Sequence, residues 1–146
     1  MNSILTRRRA LMGKDAWEDI TDQLSFYNGT GTNHTQTEDY IMVYSVSDGS
    51  YRSVMSAFTT SPEYAYKATF DRINVKSGAA RFVCRTSSSN IISSASSDTW
   101  TDSQGAVVHA FDHNANIAKI SLFCTASTSG EGNVRYYNFR LWRKKL

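Results

Sequence analysis

From residue 17 onward the apolar positions recur every second residue, the period of a strand with one buried face, rather than every third or fourth. The clearest stretch is 64–75, where Tyr66, Ala68 and Phe70 alternate with Lys67, Thr69 and Asp71. Shorter runs at 17–21, 23–27, 40–46, 51–58, 79–86, 104–111, 115–125 and 133–143 repeat that rhythm or form short apolar stretches. Polar punctuation separates them. Residues 28–37 read as a loop with Gly29 and Gly31, Ser47-Asp48-Gly49-Ser50 is a hairpin signal, and Ser77-Gly78 is a turn. A serine-rich loop at 87–97 is interrupted by Ile91 and Ile92, and Asp112-His113-Asn114 and residues 127–132 join the last strands. Eight or more strands joined by loops, with no crossover helices, predict an all-β fold built as an antiparallel two-sheet sandwich. An up-and-down barrel is the alternative.

Residues 1–16 read differently. Thr6 is a candidate N-cap and Gly13 a candidate stop, so one or two helical turns are expected. A helix this short is marginal in water, and Arg7, Arg8 and Arg9 near its positive end oppose it further. The arm is therefore ordered only by contact, through Ile4, Leu5, Leu11 and Met12. The expected organisation is a basic docking arm at 1–16 and a sandwich domain at 17–146.

Charge sharpens that division. Residues 1–14 carry Arg7, Arg8, Arg9 and Lys14 with no acid, and residues 140–146 carry Arg140, Arg143, Lys144 and Lys145 with none. Between them lie 8 basic residues and all 13 acids, so the body is net acidic and the ends are specialised. Docking to other proteins is the reading preferred for the ends. A nucleic-acid role is disfavoured, because there is no helix-turn-helix pattern, zinc spacing or phosphate loop. No window holds the ~18 consecutive apolar residues of a membrane helix. Ala10-Leu11-Met12-Gly13 is too short for the apolar region of a secretory signal, so synthesis in the cytoplasm is expected.

Composition agrees with a β-rich domain: hydrophobic residues make up 40%, charged residues only 20%, and proline occurs once, at Pro62. Cys84 and Cys124 each sit in an apolar run, and without a secretory signal they read as buried free thiols. Two cysteines make no metal framework.

Chemistry-bearing clusters are few. His109 and His113 flank Asp112, but residues four apart in a strand are separated by roughly 13 Å, beyond a shared ion unless the chain bends. No serine lies in a Gly-x-Ser-x-Gly context. Asp98 and Asp102 around Trp100 form the nearest carboxylate pair, and aspartates in a serine-rich loop are normally turn formers. No catalytic residue, metal or cofactor is therefore expected. Trp100 with Asp98, Asp102, Asn90 and Gln104 offers an aromatic face and planar polar groups for a glycan, set against the competing reading of Trp100 as core. In the closing run, if Tyr137, Phe139 and Leu141 face inward, then Tyr136, Asn138, Arg140 and Trp142 face outward. Tyr136, Arg140 and Trp142 would then join the arm in an assembly interface.

From about Ser61 to the end, Tyr-Ala-Tyr-Lys-Ala-Thr-Phe, a Ser-Gly turn, Arg-Phe-Val-Cys, Thr99-Trp100, a strand ending at Phe111, Ile-Ala-Lys-Ile-Ser-Leu-Phe and Val-Arg-Tyr-Tyr-Asn-Phe-Arg-Leu follow one another. This order resembles the galactose-binding-like jelly rolls that include many carbohydrate-binding modules. The resemblance implies a jelly-roll sandwich behind the arm and a glycan as ligand. Where many of those modules have a closing-strand aspartate and a calcium ion, this chain has Asn138, so no calcium site carries over. The arm, Ile4-Leu5-Thr6-Arg7-Arg8-Arg9-Ala10-Leu11-Met12, is similar to the start of many prophage-encoded virion and tail-associated proteins. That likeness implies a non-catalytic component of a bacteriophage particle, in head decoration or in the tail and its fibres. It would be a homo-oligomer held to other virion proteins by the arm. The alternative is an adhesion module that binds host-surface or mucosal glycans.

Overall fold

The computed structural model describes residues 16–29, 31–45, 51–111, 116–125 and 131–146, with the backbone alone at 51 and 52. The strands in these residues are β1 (Glu18–Asp19), β2 (Tyr27–Asn28), β3 (Thr32–Gln36), β4 (Tyr40–Ser45), β5 (Tyr51–Ala57), β6 (Tyr64–Phe70), β7 (Arg72–Ser77), β8 (Ala79–Arg85), β9 (Val107–Phe111), β10 (Lys119–Thr125), β11 (Gly132–Tyr137) and β12 (Arg140–Lys145). Every ladder between them is antiparallel. One sheet has the order β2-β5-β10-β8, and the others are β3-β4-β11-β7 and β1-β12-β6-β9. The all-β sandwich expected from the alternation is the fold observed.

The last two sheets are halves of one bent sheet. β6 and β7 are the single run expected at 64–75, and β11 and β12 are the single run expected at 133–143. Arg140 pairs with Thr69 on one side of the bend and Tyr137 with Arg72 on the other, so the register passes through unbroken and sets Asn138 opposite Asp71. At the bend Asn138 takes a left-handed φ of 49°, a conformation asparagine tolerates better than most residues. The Asp71 amide donates to the Tyr137 carbonyl at 2.9 Å, and Asn138 Nδ2 donates to Asp71 Oδ2 at 2.9 Å.

One added residue in each strand flips the alternation. Tyr66, Ala68 and Phe70 face the core before the bend and Ile73 after it; Tyr136 faces the core before it, and Phe139 and Leu141 after it. Tyr136, expected on the outside, is fully buried, and Tyr137, expected inside, faces out. Tyr136 crosses the sandwich: its hydroxyl accepts from the Arg81 amide at 3.1 Å and donates to the Phe123 carbonyl. Core contributions from the opposing sheet include Val54, Phe82, Ile120 and Leu122, each stabilising by about 1.5–3 kcal/mol on burial.

Three further expectations are adjusted. The loop expected at 28–37 contains β3, a mostly polar edge strand entered through Gly31 at φ 73°. The runs at 17–21 and 23–27 shrink to β1 and β2 around a 3-10 turn at Thr21–Gln23. Asp19 Oδ1 accepts from both the amide and the hydroxyl of Thr21, and that local pairing turns the chain away from the sheet. The Ser77-Gly78 turn forms as expected, with Gly78 at φ 81°. Both thiols are free and buried. Cys84 lies opposite Ile120 and Cys124 opposite Ala80, so about 13 Å of strand separates them, too far for a disulfide.

Candidate functional site

The outer face of β3-β4-β11-β7 gathers three tyrosines and two arginines on adjoining strands. Its composition follows from alternation: because Ile41 and Val43 point into the core from β4, Tyr40, Met42 and Tyr44 point out. On β11 the same rule sends Asn133, Arg135 and Tyr137 outward, since Val134 and Tyr136 are buried. Cross-strand register then sets Tyr137 between Tyr40 and Arg72, and Arg135 between Met42 and Asn74.

Arg135 is the hub. Its guanidinium lies 5.0 Å from the centre of the Tyr40 ring and donates through Nε to the Met42 sulfur at 3.2 Å. The stem and head of this side chain leave Met42 only 8% exposed although it points away from the core. The Tyr40 and Tyr137 rings are tilted neighbours with centroids 5.3 Å apart. Arg72 covers the Tyr137 ring at 3.9 Å. Beyond Tyr44 the face opens into a cavity of about 320 Å³ lined by Gly31, Asn33, Tyr44, Ser45 and Glu131. Asn133, which pairs with Tyr44, keeps its Oδ1 buried with no hydrogen-bond partner among the described residues.

The electrostatics are those of uncompensated cations. Hydrogen bonds from Arg135 and then Arg72 hold the Tyr137 hydroxyl below the usual phenol range, and the Tyr137 hydroxyl in turn holds Arg135 above its ordinary value. Among the described residues the ion pairs lie on the other half of the bent sheet: Arg143 with Glu18 at 2.7 Å, Arg140 with Asp19 at 3.6 Å and Lys145 with Glu63 at 3.5 Å. None engages Arg72 or Arg135.

The residues singled out from the sequence are scattered. The backbone of Trp100 pairs with Ala80, and its ring packs edge-on to Phe70 at 6.4 Å against the core. Gln104 pairs with Ile73 through the backbone, and its Nε2 donates to the Asp102 carbonyl at 2.8 Å. Asp98 and Asp102 are exposed beside them. Asn90 closes a separate turn with Thr86, at the opposite end of β8 from Trp100. The structure therefore does not gather the five expected glycan contacts into one site.

Arg140 and Trp142 do point outward from β12, as the alternation expected, and both are engaged within the chain. Arg140 pairs with Asp19, and Trp142 Nε1 donates to Thr69 Oγ1 at 2.8 Å. The Lys67 ammonium lies between the Trp17 and Trp142 rings, at 4.3 and 5.8 Å from their centres. Ile4, Leu5, Arg7, Arg8, Arg9, Leu11 and Met12 lie outside the described residues, as do Asp112 and His113. His109 stacks on Phe111 and tilts against Phe82, and its Nε2 lies 3.2 Å from the Ala95 carbonyl.

Sequence reasoning missed Tyr40, Tyr44, Arg72 and Arg135 as a set. The Tyr-x-Met-x-Tyr spacing at 40–44 was the available signal, but no sequence feature showed that Arg72 and Arg135 would flank it.

No family model matches the sequence, and no curated protein matches it. Solved structures do. A point mutant of the CBM29-2 module, from carbohydrate-binding module family 29, complexed with mannohexaose superposes with a TM-score of 0.56 at 11% identity, covering 89% of this chain and 88% of that one. A second mutant, complexed with cellulohexaose, gives 0.54 at 11% identity over 89% and 87%. A third family 29 mutant gives 0.54 at 13% identity over 89% and 88%. At that identity the likeness is one of fold.

Proposed function

We propose that this chain is a non-catalytic glycan-binding domain and that the glycan lies across the tyrosine–arginine face of β4, β11 and β7. The observation that carries this reading is the position of Arg135 among three outward tyrosines, Tyr40, Tyr44 and Tyr137. Sugars are held by apolar C–H faces on aromatic rings and by planar polar groups that match paired hydroxyls. This face offers the rings of Tyr40 and Tyr44, the guanidiniums of Arg72 and Arg135, and the amides of Asn133 and Asn74. It is built on strands, so its groups are held in place before a ligand arrives. The family 29 modules that share the fold carry mannohexaose and cellulohexaose in their complexes, which makes hexose oligomers the first probes.

The expectation of a particle component docking through its N-terminus rests on residues 1–15, outside the described residues. Of its closing-strand contacts Tyr136 is buried, which leaves the glycan reading better supported.

A glycan array and affinity electrophoresis on the full chain, with Tyr40→Ala, Arg135→Ala and Trp100→Ala beside it, test the proposal. Retardation is expected for the parent and the Trp100 variant and is lost in the other two. Binding that disappears with Trp100→Ala and survives Arg135→Ala would move the site to the 98–104 loop, and no signal at high protein concentration would end the glycan reading.

A further inference from the structure

We infer that the glycan recognised on this face is acidic, its carboxylate or sulfate seated between Arg72 and Arg135 beside the Tyr137 hydroxyl; the inference rests on the glycan reading above. Its basis is the placing of two guanidiniums side by side on one face with no carboxylate between them. On β12 and its neighbours, Arg140, Arg143 and Lys145 each have a carboxylate partner. Arg72 and Arg135 have none among the described residues; Lys67 and Lys144 also have none, but their ammonium groups lie over the Trp17 ring, whereas the two arginines lie over adjoining tyrosine rings whose centres are 5.3 Å apart.

The outward positions of the four strands explain the imbalance. Asn33, Thr35, Tyr40, Met42, Tyr44, Arg72, Asn74, Asn133, Arg135 and Tyr137 include two guanidiniums and no carboxylate. The nearest acids sit at the margins or are engaged. Glu131 lines the cavity beyond Tyr44, Glu38 and Asp39 precede Tyr40, and Asp71 accepts from Asn138 at the bend.

What the two guanidiniums touch instead are weak acceptors: the Met42 sulfur and the faces of Tyr40 and Tyr137. A guanidinium has five N–H donors in a planar fork that matches an oxyanion, and charge-assisted bonds of this kind are roughly twice as strong as neutral ones. Ring contacts, and for Arg135 one bond from Nε to a thioether, fix each fork and leave most of its donors uncommitted. Two forks lying over adjoining rings, Arg72 over Tyr137 and Arg135 over Tyr40 with the ring centres 5.3 Å apart, thus define the place where a negatively charged substituent of the sugar would sit, while the Tyr40 and Tyr44 rings take the apolar face of the chain.

The test compares an oligogalacturonate with its methyl ester, which keeps the sugar and removes the charge, together with a sulfated oligosaccharide and cellohexaose, by calorimetric titration of the full chain. The acid form is expected to bind at least about tenfold more tightly than the ester. Arg72→Gln and Arg135→Gln should each erase that margin while leaving the melting temperature within a degree or two, because neither guanidinium is buried. Preference for the sulfated oligomer, lost in the same two variants, supports the inference with sulfate as the oxyanion. Equal binding of acid and ester overturns it and leaves the glycan reading standing. A margin that persists in the double variant overturns it as well, since the charge effect would then arise elsewhere. Absence of binding to every oligosaccharide defeats the underlying reading with it.

Discussion

Asn138 donates from its side-chain amide to the carboxylate of Asp71 across 2.9 Å, at the point where two antiparallel strands bend together without losing register. Each residue is the extra one in its strand. Together they move Tyr136 into the core and turn Tyr137 out beside Tyr40. The candidate face exists in its present composition because of this pair.

Asn138→Gly should therefore be mild and Asn138→Val severe. Glycine adopts the φ of 49° without strain and loses one half-exposed hydrogen bond, whereas a β-branched residue there is strained. The expected costs are below ~1 kcal/mol for glycine and about 2–3 kcal/mol for valine, read as midpoint shifts in urea unfolding. Similar costs for the two would mean that the bend does not depend on that backbone conformation.

The bend also marks where the sequence stops being legible. Alternation at 64–70 correctly places Tyr66, Ala68 and Phe70 inside, and the Ser77-Gly78 turn forms as its composition predicts. Read forward from Tyr66, the alternation gives the wrong face beyond position 71; read back from Phe139 and Leu141, it misplaces Tyr136 and Tyr137 until the inserted residue is counted. Neither Asp71 nor Asn138 announces itself, because aspartate and asparagine are equally at home on an outward strand position. Polar β3 escaped notice for a related reason: an edge strand that buries only Thr32 carries almost no apolar signal. The tyrosine–arginine face depends on which strands are neighbours, information that no local pattern holds.

Tyr136→Phe tests the core end of the same relationship. Removing the hydroxyl leaves the Arg81 amide and the Phe123 carbonyl without this partner in the centre of the sandwich. A buried unsatisfied group costs about 1–3 kcal/mol. A loss in that range is expected from chemical denaturation, with an unchanged m-value. A neutral substitution would show that the strands re-pair directly once the phenol is gone.

Gly78→Ala should be among the most damaging small substitutions. At φ 81° a Cβ is strained, and here it would also collide with the backbone carbonyl of Thr125 on the neighbouring strand. That carbonyl yields only if β10 moves. The expected cost is about 2–4 kcal/mol, from strain and overpacking together, and a cost below 1 kcal/mol by thermal or urea unfolding would contradict the tight approach of these strands.

The two outward and inward phenols should titrate on opposite sides of the ordinary value of 10.0. Arg135 and Arg72 pull Tyr137 down by hydrogen bonding, and burial pushes Tyr136 up. Tyrosine-labelled NMR between about pH 9 and pH 11, one unit either side of the ordinary value, should show Tyr137 ionising first while Tyr136 holds its proton. Arg135→Gln should return Tyr137 toward the ordinary value. If the two resonances move together, the guanidiniums do not address that hydroxyl.

Alkaline pH should destabilise the fold before it reaches the tyrosines. Burial raises the thiols of Cys84 and Cys124 above their ordinary value of 9.0, Cys124 to about 11, while its hydrogen bond from Ser45 opposes the shift. In the unfolded chain both thiols ionise near pH 9; in the folded chain they hold their protons. The native state therefore binds more protons in this window, and stability, fully present below about pH 9, falls as pH rises. Each thiol contributes a slope of about 1.4 kcal/mol per pH unit, and that of Cys124 levels off near 11 as it ionises in place. Tyr136 adds a third slope above about pH 10. Urea midpoints measured from neutral pH into this range should stay level and then decline, and Cys124→Ala, once its constant packing loss is subtracted, should make the decline between about 9 and 11 visibly shallower. An unchanged slope in that variant would mean that the thiol reaches water in the folded chain.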